Sequence, residues 1–185
     1  MVTTLLLSAL ITQATAYRID PAACEAGFDL KATMHTVHGS TKNVVGEVRV
    51  EPESSGVLRL TGTISIDAAS LETGNDKRDA NLRSKSLLVD SFPTIDFEPE
   101  RFTPSAPAGP DGSIPGEFIG RLTIRGQTRI QAVSAKLAPQ GDRILASGTF
   151  DVSWAEFGVP DPSFFVVRIE AVAHARFRAE FVPIP

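Results

Sequence analysis

At 185 residues, 42% of them hydrophobic and 22% charged, the chain has enough material for one domain with its own core. Its composition is that of a globular protein, not a disordered or collagen-like one. A net charge of −4, from 18 basic and 22 acidic residues, supplies no clustered cationic face, so no nucleic-acid partner is expected. The single cysteine, Cys24, excludes an intrachain disulfide and is expected as a small buried hydrophobe; a thiol bridge between two copies, and with it a homodimer, stays open.

Met1–Ala16 carries no charged side chain. Leu5-Leu6-Leu7 and Ala9-Leu10-Ile11 make an apolar run too short to span a bilayer, and Ala14-Thr15-Ala16 has the small-x-small form of a signal-peptidase site. The expectation is a cleaved leader over 1–16, a mature domain over 17–185, and a periplasmic or secreted location. No later stretch reads as a membrane span, so membrane contact is expected to be at most transient.

From there the chain reads as strands, because apolar residues recur at every second position and side chains on a strand alternate between faces. Phe28, Leu30, Ala32 and Met34 form the first inward set, then Gly46, Val48 and Val50, then Leu58, Leu60, Gly62, Ile64 and Ile66. Ala68–Phe92 breaks the pattern: helix formers follow Gly74-Asn75, and Pro93 ends the segment, predicting a short helical insertion. Alternation resumes over Thr94–Phe102, includes Phe97, and continues after the Pro/Gly-rich loop Pro104–Gly116 with Phe118, Gly120, Leu122 and Ile124. Thr128–Leu137 follows, then Ile144, Ala146, Gly148, Phe150, Val152 and Trp154. The last run takes every second residue from Phe165 to Phe181, including Ile169, Ala173 and Phe177, and predicts one long coiled strand. Short turn-like links favour an antiparallel meander, so the expected fold is all-β, an antiparallel barrel of about eight strands. Its inward face is lined by glycines and alanines that either fill a tapering core or leave a void.

The residues suggest little chemistry. His35 and His38 fall on opposite faces of a strand and His174 lies far along the chain, so no metal is expected. No nucleophile elbow or phosphate-binding glycine loop occurs, and no cofactor is expected. The polar stretch Ser70–Ser84 is read in two ways: Thr73, Asn75 and Asp79 cap helical turns while Arg78 ties the loop through an ion pair, or Arg78, Lys77 or Arg83 meets a polar head group at the barrel mouth.

That stretch also carries a resemblance. Ser70-Leu71-x-Thr73-Gly74-Asn75-x-x-Arg78-Asp79-x-x-Leu82-Arg83-Ser84, followed by Phe92-Pro93-Thr94-Ile95-x-Phe97, resembles the signature of the YceI-like family. Gly120-Arg121-Leu122-Thr123-Ile124-Arg125-Gly126-Gln127-Thr128 and Phe157-Gly158-Val159 are similar to two further family elements, and His35–Gly39 with Gly46 is similar to its first hairpin. The resemblance spans about 17–181. It implies a lipocalin-like barrel with a helical insertion, commonly periplasmic, that holds a polyisoprenoid chain such as a quinone tail, and it assigns no catalytic residue. The expected function is therefore the binding of an isoprenoid lipid or quinone in a tunnel lined by Phe28, Leu30, Met34, Val48, Leu60, Ile64, Phe97, Phe118, Leu122, Phe150, Trp154, Phe165, Ile169, Ala173 and Phe177. Two alternatives stand beside it: an enzyme using His35, Arg78 or Asp79 at the mouth, and a filled barrel that serves as an interaction module.

Overall fold

The computed structural model describes residues 13–163 and 168–185. The leader expected over Met1–Ala16 lies outside the described residues up to position 12, as does Phe165. The strands are β1 (Thr15–Lys31), β2 (Thr36–Thr41), β3 (Val44–Pro52), β4 (Leu58–Asp67), β5 (Thr94–Pro104), β6 (Ile114–Ile124), β7 (Gln127–Gln140), β8 (Arg143–Ser153) and β9 (Val172–Pro183). All pairs are antiparallel, in the order β2-β1-β3-β4-β5-β6-β7-β8-β9, and β1 also pairs with β9. β2 and β3 lie end to end along the same edge of β1, β2 against Ala26–Lys31 and β3 against Thr15–Arg18. They fill one position between them, and the result is the expected eight-position closed barrel.

β1 is long because it bends. Between Ile19 and Cys24 it advances five residues while β9 advances two, from Phe181 to Ala179. The extra residues around Pro21 form an irregular bulge, which re-aims the strand. Tyr17 and Ile19 point inward before the bulge, and Cys24 and Ala26 after it. Cys24 is buried, as its residue type suggested.

The insertion follows β4. It comprises a 3-10 turn at Ala68–Ser70, helix α1 (Asp76–Asn81) and a π-helical turn at Leu82–Leu87. Asn75 caps α1 by accepting from the Arg78 backbone N–H at 3.0 Å. Ala68, Leu71 and Leu87 bury themselves against Phe28, Ile95 and Ile124, seating the insertion across one end of the barrel.

The C-terminal run differs from expectation. The continuous strand begins only at Val172. Ile169 makes an isolated bridge to Ala32, and Trp154 Nε1 donates to the Glu170 carbonyl at 2.8 Å. The alternation of residue types survives there, but part of the backbone serves tertiary contacts instead of a ladder.

Candidate ligand cavity

The two ends of the barrel are built differently. At the β5–β6 loop end, Leu58, Phe102, Ile114, Leu137 and Ile144 pack with Tyr17 and Val50 into one buried cluster. Phe102 is 0% exposed and its ring lies 4.9 Å from that of Phe118, tilted by 53°. That arrangement is favourable for aromatic quadrupoles, and it closes this end with side chains.

Above the packed layer lies a cavity of about 610 Å³. Its deep wall carries Val48, Leu60, Ile64, Phe118 and Phe177; its middle, Phe97, Leu122, Phe150 and Ala173; its upper part, Phe28, Leu30, Trp154 and Ile169. Every expected lining residue among those described is therefore present except Met34. Met34 is corrected: it is 84% exposed in the β1–β2 turn. The strand ends at Lys31, so the period-2 count no longer applies three residues later. Alternation also missed Leu71, Leu82 and Leu87 from the insertion, and Phe157, which sits in a 3-10 turn after β8 and is 2% exposed. A pure strand period has no means of marking residues that reach the cavity from turns.

The inward glycines do not make the hollow directly. A Cβ at Gly120 would stand 2.7 Å from the Phe97 ring, one at Gly148 2.6 Å from that of Phe177, and one at Gly39 2.3 Å from that of Phe28. Each glycine is a notch over which a neighbouring ring lies flat. Rings held against the wall, with Ala173, Ala175 and Ala179 between them, leave the centre open. Walls of this chemistry favour an apolar occupant over water.

At the α1 end the lining turns polar, with Thr73, Asn75, Lys77, Arg78 and Asn81. The carboxylate of Asp79, 5% exposed, accepts from the Thr73 backbone N–H at 2.9 Å and from the Thr73 hydroxyl. Burial pushes the Asp79 carboxyl up. The two Thr73 hydrogen bonds and the positive charges of Arg83 and Arg78 outweigh that and hold it below the usual carboxylate range. Arg78 donates from Nε to the Thr73 hydroxyl at 2.7 Å and from Nη2 to the Thr73 carbonyl at 2.9 Å. It does tie the loop, through these neutral acceptors instead of the expected ion pair, with Nε and one N–H of Nη2 engaged. Arg83 Nε donates to the Ala69 carbonyl at 2.8 Å. Arg125 holds the roof from the other side, donating to the carbonyls of Gly158 at 2.5 Å and Ser86 at 3.4 Å.

The side chains of the enzyme alternative do not converge. Arg78 and Asp79 are committed to Thr73, and His35 is exposed in the β1–β2 turn. His38 and His174 lie on the outer face against Asp29 and Asp151, at 2.8 Å and 2.7 Å. Among the described residues no three His, Cys, Asp or Glu side chains are placed to share a metal ion.

Comparison with known proteins places this architecture. The YceI-like domain model matches residues 17–180. The chain belongs to the YceI-like family. No curated protein sequence matches it. Among solved structures, BcnA of Burkholderia cenocepacia superposes with a TM-score of 0.69 at 17% identity, covering 88% of this chain and 98% of that one. A polyisoprenoid-binding domain from Saccharophagus degradans, described as implicated in plant cell wall breakdown, gives 0.70 at 13% identity, over 92% and 99%. The YceI protein of Campylobacter jejuni gives 0.62 at 16% identity, over 83% and 88%. At these identities the likeness concerns the fold.

Proposed function

We propose that this YceI-like domain binds a long isoprenoid-type lipid, such as a quinone or polyprenyl chain, with the chain lying in the barrel cavity, and that it carries or sequesters this lipid without chemically changing it. The observation that carries the reading is the cavity itself: about 610 Å³ enclosed by aliphatic and aromatic side chains inside a closed barrel. With a water-sized group taking about 30 Å³, there is room for roughly twenty such groups, or about four isoprene units. Burying about ten CH₂ equivalents at about 0.8 kcal/mol each supplies a drive of about 8 kcal/mol before ordering costs are subtracted. The solved polyisoprenoid-binding domain of the same fold supports the choice of ligand class. The tying of Arg78 and Asp79 into the loop supports binding over catalysis. The short apolar run Leu5–Ile11 followed by Ala14-Thr15-Ala16 supports export to the periplasm or beyond, which N-terminal mass analysis of the protein from its native host checks.

The test is native mass spectrometry of the purified protein, with organic extraction of the bound material and re-addition of a short-chain ubiquinone. A prenyl lipid released on extraction and taken up again is the expected result. Protein that carries no lipid and takes none up overturns the reading. Ala173→Phe places a ring in the middle of the cavity and is expected to abolish uptake with the β-sheet circular dichroism unchanged; undiminished uptake contradicts this placement of the chain.

A further inference from the structure

The wall of the barrel is not equally closed all round. β7 and β8 pair from Gln140↔Arg143 up to Ser134↔Thr149 and no further. Beyond that row Gln127–Val133 pairs with β6 alone and Phe150–Ser153 with β9 alone among the described residues, so the upper parts of the two strands splay. A second space of about 560 Å³ occupies this seam. Phe150, Ala175 and Arg176 line both it and the inner cavity, so the two spaces adjoin at this part of the wall.

The seam groove differs from the cavity in kind. It is edged by Gln131, Ser134, Thr149 and His174. Among the described residues the exposed Ser134 and Thr149 hydroxyls make no side-chain hydrogen bond, and they stand opposite one another at the last paired row. His174 Nδ1 is engaged by Asp151, while its Nε2 is buried with no hydrogen-bond partner, 3.6 Å from Glu170 Oε2 and so too far for one. The carboxylates of Asp29, Glu117 and Asp151 line the groove, and among its described lining residues Arg176, paired with Asp29, is the one permanent cation. Such a groove can hydrogen-bond an uncharged polar group and repels an anion.

We infer that the β7–β8 seam is the head-group site for the lipid whose chain fills the cavity, that the molecule passes from one space to the other beside Phe150, and that the head group taken there is neutral, a quinone or hydroxyl and not a phosphate. The inference rests on the binding reading above and adds the place and chemistry of the polar end. It assigns that end to the seam in preference to Arg78, whose Nε and Nη2 are engaged by Thr73.

The experiment separates the two readings by using two signals. Trp154, the single tryptophan, lines the cavity, so quenching of its fluorescence by a short-chain ubiquinone reports occupation of the interior. A thiol introduced by Ala132→Cys stands exposed in the seam, and one introduced by Lys136→Cys stands exposed on the closed half of β7. With the quinone at about ten times its Kd, maleimide labelling at position 132 is expected to slow by about tenfold, in proportion to the unliganded fraction, with no change at position 136. Ser134→Ala combined with Thr149→Val is expected to weaken quinone binding by about tenfold, the loss of two hydrogen bonds. Geranylgeranyl diphosphate is expected to leave position 132 reactive. Quenching of Trp154 with full reactivity at position 132 overturns the seam site while leaving the binding reading intact. Equal protection by the diphosphate overturns the neutral-head assignment. No quenching by the quinone overturns both readings together.

Discussion

The two ends of this barrel are shut by different balances of force. At the β5–β6 loop end, Phe102 and its neighbours form a large, mainly apolar cluster, with the hydrogen bonds of Asp111 to Ser113 and Lys136 in the loop beside it. At the α1 end, the smaller apolar cluster of Ala68, Leu71 and Leu87 is joined by the hydrogen bonds of Thr73, Arg78, Asp79, Arg83 and Arg125, whose partners are mostly backbone carbonyls and hydroxyls. Opening the first end exposes apolar surface, at about 25 cal/mol per Å². Opening the second exposes the smaller Ala68, Leu71 and Leu87 cluster and otherwise exchanges protein hydrogen bonds for water, at a net cost of only about 1 kcal/mol each. The α1 end, with the smaller apolar cluster and more of its closure in hydrogen bonds, is therefore expected to open more readily than the β5–β6 end. Local openings of this kind are drawn from the weakly held parts of a fold.

Substitutions at the two ends break that contrast if it is wrong. The largest effect is expected at the closed end: Phe102→Ala leaves a cavity in a packed layer and costs about 3–5 kcal/mol in chemical denaturation. Gly148→Ala comes next. Its Cβ would meet the Ser134 carbonyl at 2.5 Å and the Phe177 ring at 2.6 Å, so overpacking costs about 1–3 kcal/mol, and the displaced ring narrows the cavity. At the α1 end, Asp79→Asn weakens both Thr73 hydrogen bonds, with an expected loss of about 1–2 kcal/mol. Hydrogen exchange sharpens the comparison here: amides of Leu71–Leu82 are expected to exchange faster in this variant while those of β4 and β6 keep their protection, and uniform acceleration would mean that the roof and barrel open together.

The smallest expected effect is on pH. The Asp79 carboxyl is depressed in the folded protein by the Thr73 hydrogen bonds and the nearby Arg83 and Arg78 charges, against the upward push of burial. A depressed carboxyl contributes stability that is fully present above its unfolded pKa of about 3.9 and is lost as pH falls through the lower folded value. Protection of the α1 segment is therefore expected to be flat from neutral pH to about 5 and to fall below about 4, with the Asp79→Asn variant lacking this step. A fall that the variant shares would place the titrating group elsewhere, Asp29 being the first to consider, since the hydrogen bond from His38 and its contacts with Arg176 also hold it low.

Much of this was legible in the chain because β-strand alternation is a local property. Leu58–Asp67 was readable as a strand and is β4 to the residue. The insertion was readable because Gly74-Asn75 and Pro93 bracket it. β1 was only half legible: Tyr17 and Ile19 face inward on one parity and Cys24 and Ala26 on the other, and the bulge at Pro21 that switches them depends on β9. β2 is too short, and too rich in His, Ser and Thr, to announce a face. Met34 was misplaced because alternation does not say where a strand stops. The role of the inward glycines as seats for Phe97 and Phe177, and the splay of β7 from β8, needed the register between strands, which no single strand encodes.

A crystal structure of the protein purified from its native host, without delipidation, addresses the central claim most directly. The account predicts continuous elongated density along the cavity, passing Leu60, Leu122 and Ala173. Isolated water peaks there, or a collapse of Phe97 and Phe177 into the space, would contradict it.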